Sequence, residues 1–175
     1  MLTLGAFVLL MTILVTFYRL LAQSGETIDS AQAGITAITL ATSIEEIAHG
    51  LAFDEATIDS FFTVAEMGNL TDAGALGREN PPPAGEPDED ANNIRTFDDF
   101  DDFNGITLLD TTQGGTLGKY AASFIVQYVD PADIDHEEPS KRTFAKRMDI
   151  KIWRFYPPSA DTLTIALVSG YFHFN

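Results

Sequence analysis

The densest array of chemistry-bearing side chains is Phe97-Asp98-Asp99-Phe100-Asp101-Asp102-Phe103-Asn104-Gly105. Four carboxylates inside five residues repel one another unless something positive neutralises them. One chemistry that needs such a set is a hard-cation site, with Asp98, Asp99, Asp101, Asp102 and Asn104 as oxygen ligands. Ca2+ is the candidate ion, because it collects several carboxylate and carbonyl oxygens. The motif is not an EF-hand loop: Phe100 would occupy the first ligand position and Thr111 the last. Two other readings stay open. The motif could be a solvated acidic turn pinned by its three phenylalanines, or it could pair with basic side chains. Seven of the ten basic residues lie at Lys119 or later, among them Lys141, Arg142, Lys146 and Arg147. Acidic and basic surfaces so segregated could meet between neighbouring subunits or within one head.

Other chemistries find little support. His49, His136 and His173 are far apart and lack metal-ligand spacing. No serine has a Gly-x-Ser-x-Gly context. The glycine-bearing stretch Gln113 to Lys119 is followed by Tyr120 where a phosphate loop needs Ser or Thr, so a hairpin loop is expected there. No catalytic residue is assigned and no enzyme is expected. There is no cysteine, which excludes disulfides and thiolate chemistry, and a formal charge of -16 argues against a nucleic-acid partner. Asn69-Leu70-Thr71 is a glycosylation sequon, making Asn69 a candidate modification site.

These residues need a scaffold, and the chain supplies two unlike parts. Met1 to Phe17 carries no charge, and Arg19 is followed by Leu20, Leu21 and Ala22. That length sits at the short end of what spans a bilayer as a helix. The run lacks the basic start and cleavage site of a secretory signal, so the chain is expected to be a mature form whose leader is gone. Beyond it, Ile28, Ala31, Ile35 and Ile38 follow helical spacing, and Ile44, Ile47 and Leu51 do so after a phase shift. No proline precedes Pro81. A helix from near residue 2 to near Ala52 is therefore predicted, roughly 75 Å long at 1.5 Å per residue. Ser24 and Gly25 are its weak point and a candidate helix break. Ala31, Ala33, Gly34, Ala37 and Ala41 are small enough to let helix backbones approach closely. A single-pass anchor followed by one core helix accounts for the same spacing. Along the apolar half, Met1, Leu4, Gly5, Phe7, Leu10, Leu14, Phe17 and Leu21, with Ile28 and Ile35 beyond, are the candidate contacts for burial in lipid or against copies of the same helix.

The rest reads as a head. Gly68, Gly74 and Gly77 punctuate a polar stretch, and Asn80 to Pro87 with its run of prolines must be loop. Three strands follow by alternation: Tyr120 to Asp130, Met148 to the Pro157-Pro158 pair, and Leu163 to Val168, with a bend at Gly170. A sheet with one apolar face needs a lid, and the second half of the helix is available for it. The expected fold class is α+β, a long protruding N-terminal helix packed on an antiparallel β-sheet head. The division is 1–53 for the helix, with an apolar half 1–22 and an amphipathic half 26–53, and 54–175 for the head, with an acidic, proline-rich loop at 79–110.

The apolar start, the stretch Ala41 to Asp54 with its Glu45-Glu46-Ile47, the Phe97 to Gly105 motif, and the strands ending Tyr128-Val129-Asp130 and running Lys146 to Ile152 together resemble the type IV pilin and pseudopilin superfamily, in particular its mannose-sensitive-haemagglutinin-type prepilin-like members. The resemblance covers most of the chain outside Gly68 to Asp90. It implies a pilin-like fold, with the precursor held in the inner membrane, a leader cut by a prepilin peptidase, and extraction by an inner-membrane assembly machine into an extracellular helical filament. The partners implied are identical subunits and that machinery. Unwinding near Gln23 to Gly25 is a family expectation too. Two features depart from the pattern. Gly5 stands where the family usually has glutamate, which raises a minor pilin or secretion-system pseudopilin at a filament tip as an alternative, and no head disulfide can form. A single-pass, membrane-anchored extracellular module is the further alternative.

Overall fold

The structure is a computed structural model and describes residues 2–58, 63–79, 88–109 and 118–172, with the side chains of 2–4 and 160 left aside. Phe61, Phe62, the proline run, the Gln113 to Leu117 part of the glycine stretch and His173 lie outside the described residues. The chain divides into two compact units, Met1–Thr36 and Ala37–Asn175. The boundary falls inside the helix.

Helix α1 runs Leu2–His49 without interruption. The expected break is not there: Ser24 and Gly25 are both helical. One glycine costs about 1 kcal/mol against alanine, too little to interrupt a helix with good formers on either side. The threonines are accommodated by back-bonding. Thr12, Thr16, Thr27, Thr36 and Thr42 each donate a hydroxyl hydrogen bond to the carbonyl four residues earlier. In the apolar half this leaves the Thr12 and Thr16 hydroxyls satisfied without water. The helix stops at His49, slightly before the expected Ala52, and Gly50 and Leu51 close the end by donating to Ile47 and Ala48.

The head unit is an antiparallel sheet of five strands: β1 (Thr107–Leu109), β2 (Lys119–Asp130), β3 (Asp133–Glu137), β4 (Ala145–Tyr156) and β5 (Pro158–Gly170). The order is β1-β2-β4-β5, with β3 paired to the end of β2. The α+β class therefore holds, and three strands fall where alternation places them. Tyr120, Ala122, Phe124, Val126 and Tyr128 of β2 are all buried, as are Met148, Ile150 and Ile152 of β4. Register aligns Ala122 with Ile152, Phe124 with Ile150 and Val126 with Met148, so both strands present their apolar sets to one side. The lid comes from the end of α1. Ala37, Ala41, Ile44 and Ala48 belong to the same core cluster as these strand residues.

That stripe takes up Ile44 of the expected second set, with Ile47 and Leu51 packed against the same core, while the first set faces outward. Ile28, Ile35 and Ile38 are 56%, 66% and 57% exposed. Ala37 and Ala41 are not free for contacts between helices, because the core of their own head uses them. Alanine wins these positions because a helix lying close on a sheet leaves little room beyond Cβ. The phenylalanines fill what remains: Phe97 meets Phe103 edge-on at 5.1 Å, and Phe103 lies 5.2 Å from Phe124.

Candidate functional site

After α1 the chain turns through Ala52, whose N–H donates to the Asp98 carbonyl and whose carbonyl accepts from Phe100 N–H. These two bonds set the acidic motif against the segment that carries Phe53 and Asp54. A short 3-10 turn, Asp101–Phe103, then sends neighbouring carboxylates in different directions. Asp99 Oδ1 stabilises the turn by accepting from the Asp101 and Asp102 amides at 2.7 and 3.2 Å.

On one side the motif meets Lys146. This lysine stands on the face of β4 that carries Met148, Ile150 and Ile152, and it is fully buried. Its ammonium donates to the Phe53 carbonyl at 2.8 Å, to Asp54 Oδ2 at 2.8 Å and to Asp101 Oδ1. Three donors thus find three acceptors, and the Phe53 and Tyr128 rings lie 4.7 and 5.3 Å from the nitrogen. Asp54 is itself held from several directions. Its Oδ1 accepts from Ala56 N–H and from the amide and hydroxyl of Thr71, and its Oδ2 accepts from Tyr128 hydroxyl at 3.1 Å.

The electrostatics follow from burial and this single ammonium. Burial pushes Asp54 up, but the Lys146 charge and the hydrogen bonds from Lys146, Thr71 and Ala56 outweigh it and hold the carboxyl below its ordinary value. Asp101 is raised, since its burial outweighs the attraction of Lys146. Asp99 is pushed up to about 10 by burial and then by the neighbouring Asp101 charge. Burial also raises Tyr128, with Asp54 and Asp101 adding to it.

On the other side the motif meets two glutamates that the sequence did not single out. One carboxylate oxygen each from Glu79, Glu89 and Asp102 lies within 4.8 Å of the others. Asp102 and Glu89 are buried, and Glu79 is half-buried. Asp102 Oδ2 accepts from the amides of Asp98 and Asp99, both at 3.1 Å, while no N–H or hydroxyl among the described residues reaches its buried Oδ1. Burial raises Glu79 and Asp102, and it pushes Glu89 to about 9 together with the hydrogen bond to Asp102 and that residue's charge.

The five expected ligands are therefore divided. Asp101 serves Lys146, and Asp99 serves the turn. Asn104 is engaged elsewhere: its amide nitrogen donates to the Leu76 carbonyl at 2.9 Å, and its Oδ1 accepts from Val126 N–H at 2.9 Å. It is a clamp between loop and sheet. Of the proposed set only Asp102 reaches the carboxylate trio, and Asp98, four residues earlier, is linked to it through its backbone amide. Asn69 is exposed at the end of a 3-10 turn, Val64–Asn69, while the sequon's Thr71 is tied to Asp54.

The first unit presents a different surface. Phe7, Leu10, Leu14, Phe17 and Leu21 are 47% to 64% exposed. An 18-residue window of the helix has mean hydropathy 2.0 with none of it buried, long and apolar enough to cross a membrane by length and composition. Leu9, Thr12, Ile13, Thr16, Phe17 and Leu20 line a shallow groove along it. Gly5 is exposed, Leu4 is described by its backbone alone, and Met1 lies outside the described residues.

No family model, no curated protein and no solved structure matches this chain.

Proposed function

We propose that the chain is a structural subunit of an extracellular helical filament of the type IV pilus class, polymerising through the apolar half of α1. The observation that carries this reading is the unburied apolar window of that helix. Apolar surface of this extent needs lipid or protein to cover it. Lipid suits the stretch around Phe7 to Leu21, but the apolar exposure continues at Ile28, Ile35 and Ile38, beyond the roughly 20 residues that a bilayer needs. Neighbouring copies of the same helix, staggered along an axis, cover both stretches. The satisfied threonine hydroxyls suit either setting, so the same helix is stored in the inner membrane before assembly and sits in the filament core after it. Identical subunits, a prepilin peptidase and inner-membrane assembly machinery are the partners in this reading.

A minor pilin or secretion-system pseudopilin at a filament tip is the second placement within the same class. Electron microscopy of material sheared from cells that express the chain tests both placements. Long fibres labelled along their length by an antibody to the head support the main subunit, and label confined to fibre ends supports the tip. A chain that stays monomeric in membranes with no label on sheared material overturns the filament reading in favour of a single-pass anchored module.

A further inference from the structure

Among the described residues, no lysine or arginine forms an ion pair with the carboxylate trio at Glu79, Glu89 and Asp102. Lys146 is held by Phe53, Asp54 and Asp101, and Arg78 Nη1 donates to the Glu89 carbonyl at 2.7 Å. The backbone brings the three acids together without help from any ion. That Arg78 contact, with Glu79 N–H donating to Glu89 Oε2 at 3.1 Å, fixes residues 79 and 89 beside each other. The amides of Asp98 and Asp99 aim Asp102 by holding its Oδ2. The other oxygen of Asp102, in a side chain with no solvent exposure, receives no N–H or hydroxyl donor among the described residues. A buried carboxylate oxygen without a partner is costly, and three acids this close together repel when ionised unless a cation or a shared proton lies among them. Something positive must stand among them.

We propose that Glu79, Glu89 and Asp102 bind a Ca2+ ion in the head. The donor set is all oxygen, with no histidine and no sulfur, which selects a hard cation over zinc or copper. Ligands drawn from separate segments around a partly open rim suit calcium's flexible coordination and leave room for water in the remaining positions. Magnesium demands near-octahedral geometry at short distances and is slow to give up water. The ion would tie both glutamates to the acidic motif, and through Asp102 to the turn that also serves Lys146. The rival occupant of the trio is a proton shared between Glu89 and Asp102.

The test uses the full chain in detergent, stripped with EDTA and desalted. Equilibrium dialysis against CaCl2 is expected to show one bound Ca2+ per chain, and the thermal midpoint of the head, followed by near-UV circular dichroism at Trp153, is expected to rise with Ca2+. The double substitution Glu79→Gln and Glu89→Gln is expected to weaken Ca2+ binding at least tenfold and to abolish the thermal shift. In EDTA it should melt at or above the wild-type temperature, because it removes like charges from one another. Glu79→Gln alone, at the half-buried rim, repeats the test if the double variant does not fold. No Ca2+ uptake by the wild type at millimolar concentration, or equal affinity in the glutamine variants, overturns the site and leaves the proton as occupant. An equal thermal shift with Mg2+ overturns the assignment to calcium.

Discussion

The two units invert the usual distribution of side chains in opposite ways. In the first, phenylalanine, leucine and isoleucine stand on the outside of a helix with nothing over them. In the second, Asp54, Asp99, Asp101, Asp102, Glu89 and Lys146 are buried. Each arrangement is unfavourable by itself, and each is resolved by a different kind of partner. Exposed apolar area is non-directional and is satisfied by any apolar cover, lipid or a neighbouring helix. A buried charge is satisfied only by an opposite charge and donors at defined places. The first unit is therefore suited to exchanging partners and the second to keeping one arrangement. The filament role proposed above, in which a subunit moves from a membrane into a filament, needs both properties at once.

The largest effect should come from removing the fully buried lysine of the head core. Lys146→Ala leaves Asp54 and Asp101 facing each other without their shared ammonium. Breaking a buried pair in this way costs about 3–5 kcal/mol, so urea unfolding of the full chain, followed at Trp153, should shift to much lower midpoints. The triple variant Lys146→Met, Asp54→Asn, Asp101→Asn should recover much of the loss, because no charge is then left uncompensated. If Lys146→Ala unfolds like the wild type, the buried centre is not what holds the head. Next in size is the other half of the comparison. Leu10→Asp with Leu14→Asp places charge in the apolar window, at about 2.5–3.5 kcal/mol for each at a bilayer centre. Membrane retention and sheared fibres should both be lost, while the urea midpoint of the head stays within error of the wild type. A fall in that midpoint would mean that the two units are not energetically separate.

What was legible in the sequence differs between the units for a physical reason. Period-two alternation located β2, β4 and β5, because one face of each strand has to be apolar. The apolar half of α1 was equally plain. The same parity also held the most informative fact about the head: Lys146 stands at an even position with Met148, Ile150 and Ile152, so its place on the buried face was readable. Its charge and the neighbouring Arg147, which is only partly buried and pairs with Asp135 and Asp149, hid it among surface basics. The alanine stripe was hidden too. Ala37, Ala41, Ile44 and Ala48 repeat at helical spacing, but isoleucines at 28, 35 and 38 carry more hydrophobicity and point the other way. Glu79 and Glu89 had no signal at all, since their meeting with Asp102 depends on chain path and not on spacing. Strand β3 is exposed throughout, so no apolar pattern marked it.

The alanine stripe yields a sharper separation of the units. Ala37→Phe or Ala41→Phe forces a ring between α1 and the sheet, and overpacking of this kind costs about 1–3 kcal/mol. The head should melt earlier in detergent, before any question of assembly arises. Ile35→Ala, at an exposed position, should leave the melt unchanged and weaken fibre formation. If Ala37→Phe spares the melt and removes fibres only, the small residues serve contacts between helices after all.

The smallest effect, and the one that reads the buried centre most directly, is the pH dependence carried by Asp54. Its carboxyl is held below the ordinary value of 3.8, since Lys146 and its amide donors overcome the opposing effect of burial. A carboxyl depressed in the folded state adds stability that is complete above its unfolded value and is lost as pH falls through its folded value. Asp101 has the opposite sign: burial raises it, so its contribution is present at low pH and declines as pH rises. Whole-protein stability therefore mixes the two, and only a difference isolates Asp54. Asp54→Asn keeps the shape of the side chain but loses charged hydrogen bonds, at about 1.5 kcal/mol near neutrality. The gap between wild type and variant in urea unfolding should be widest at pH 6 to 7 and should narrow as pH falls below about 4. A gap that stays constant to pH 3 would mean that Asp54 acts through shape and neutral hydrogen bonds alone. A gap that widens on acidification would reverse the sign and place the neutral form of Asp54 in the folded head.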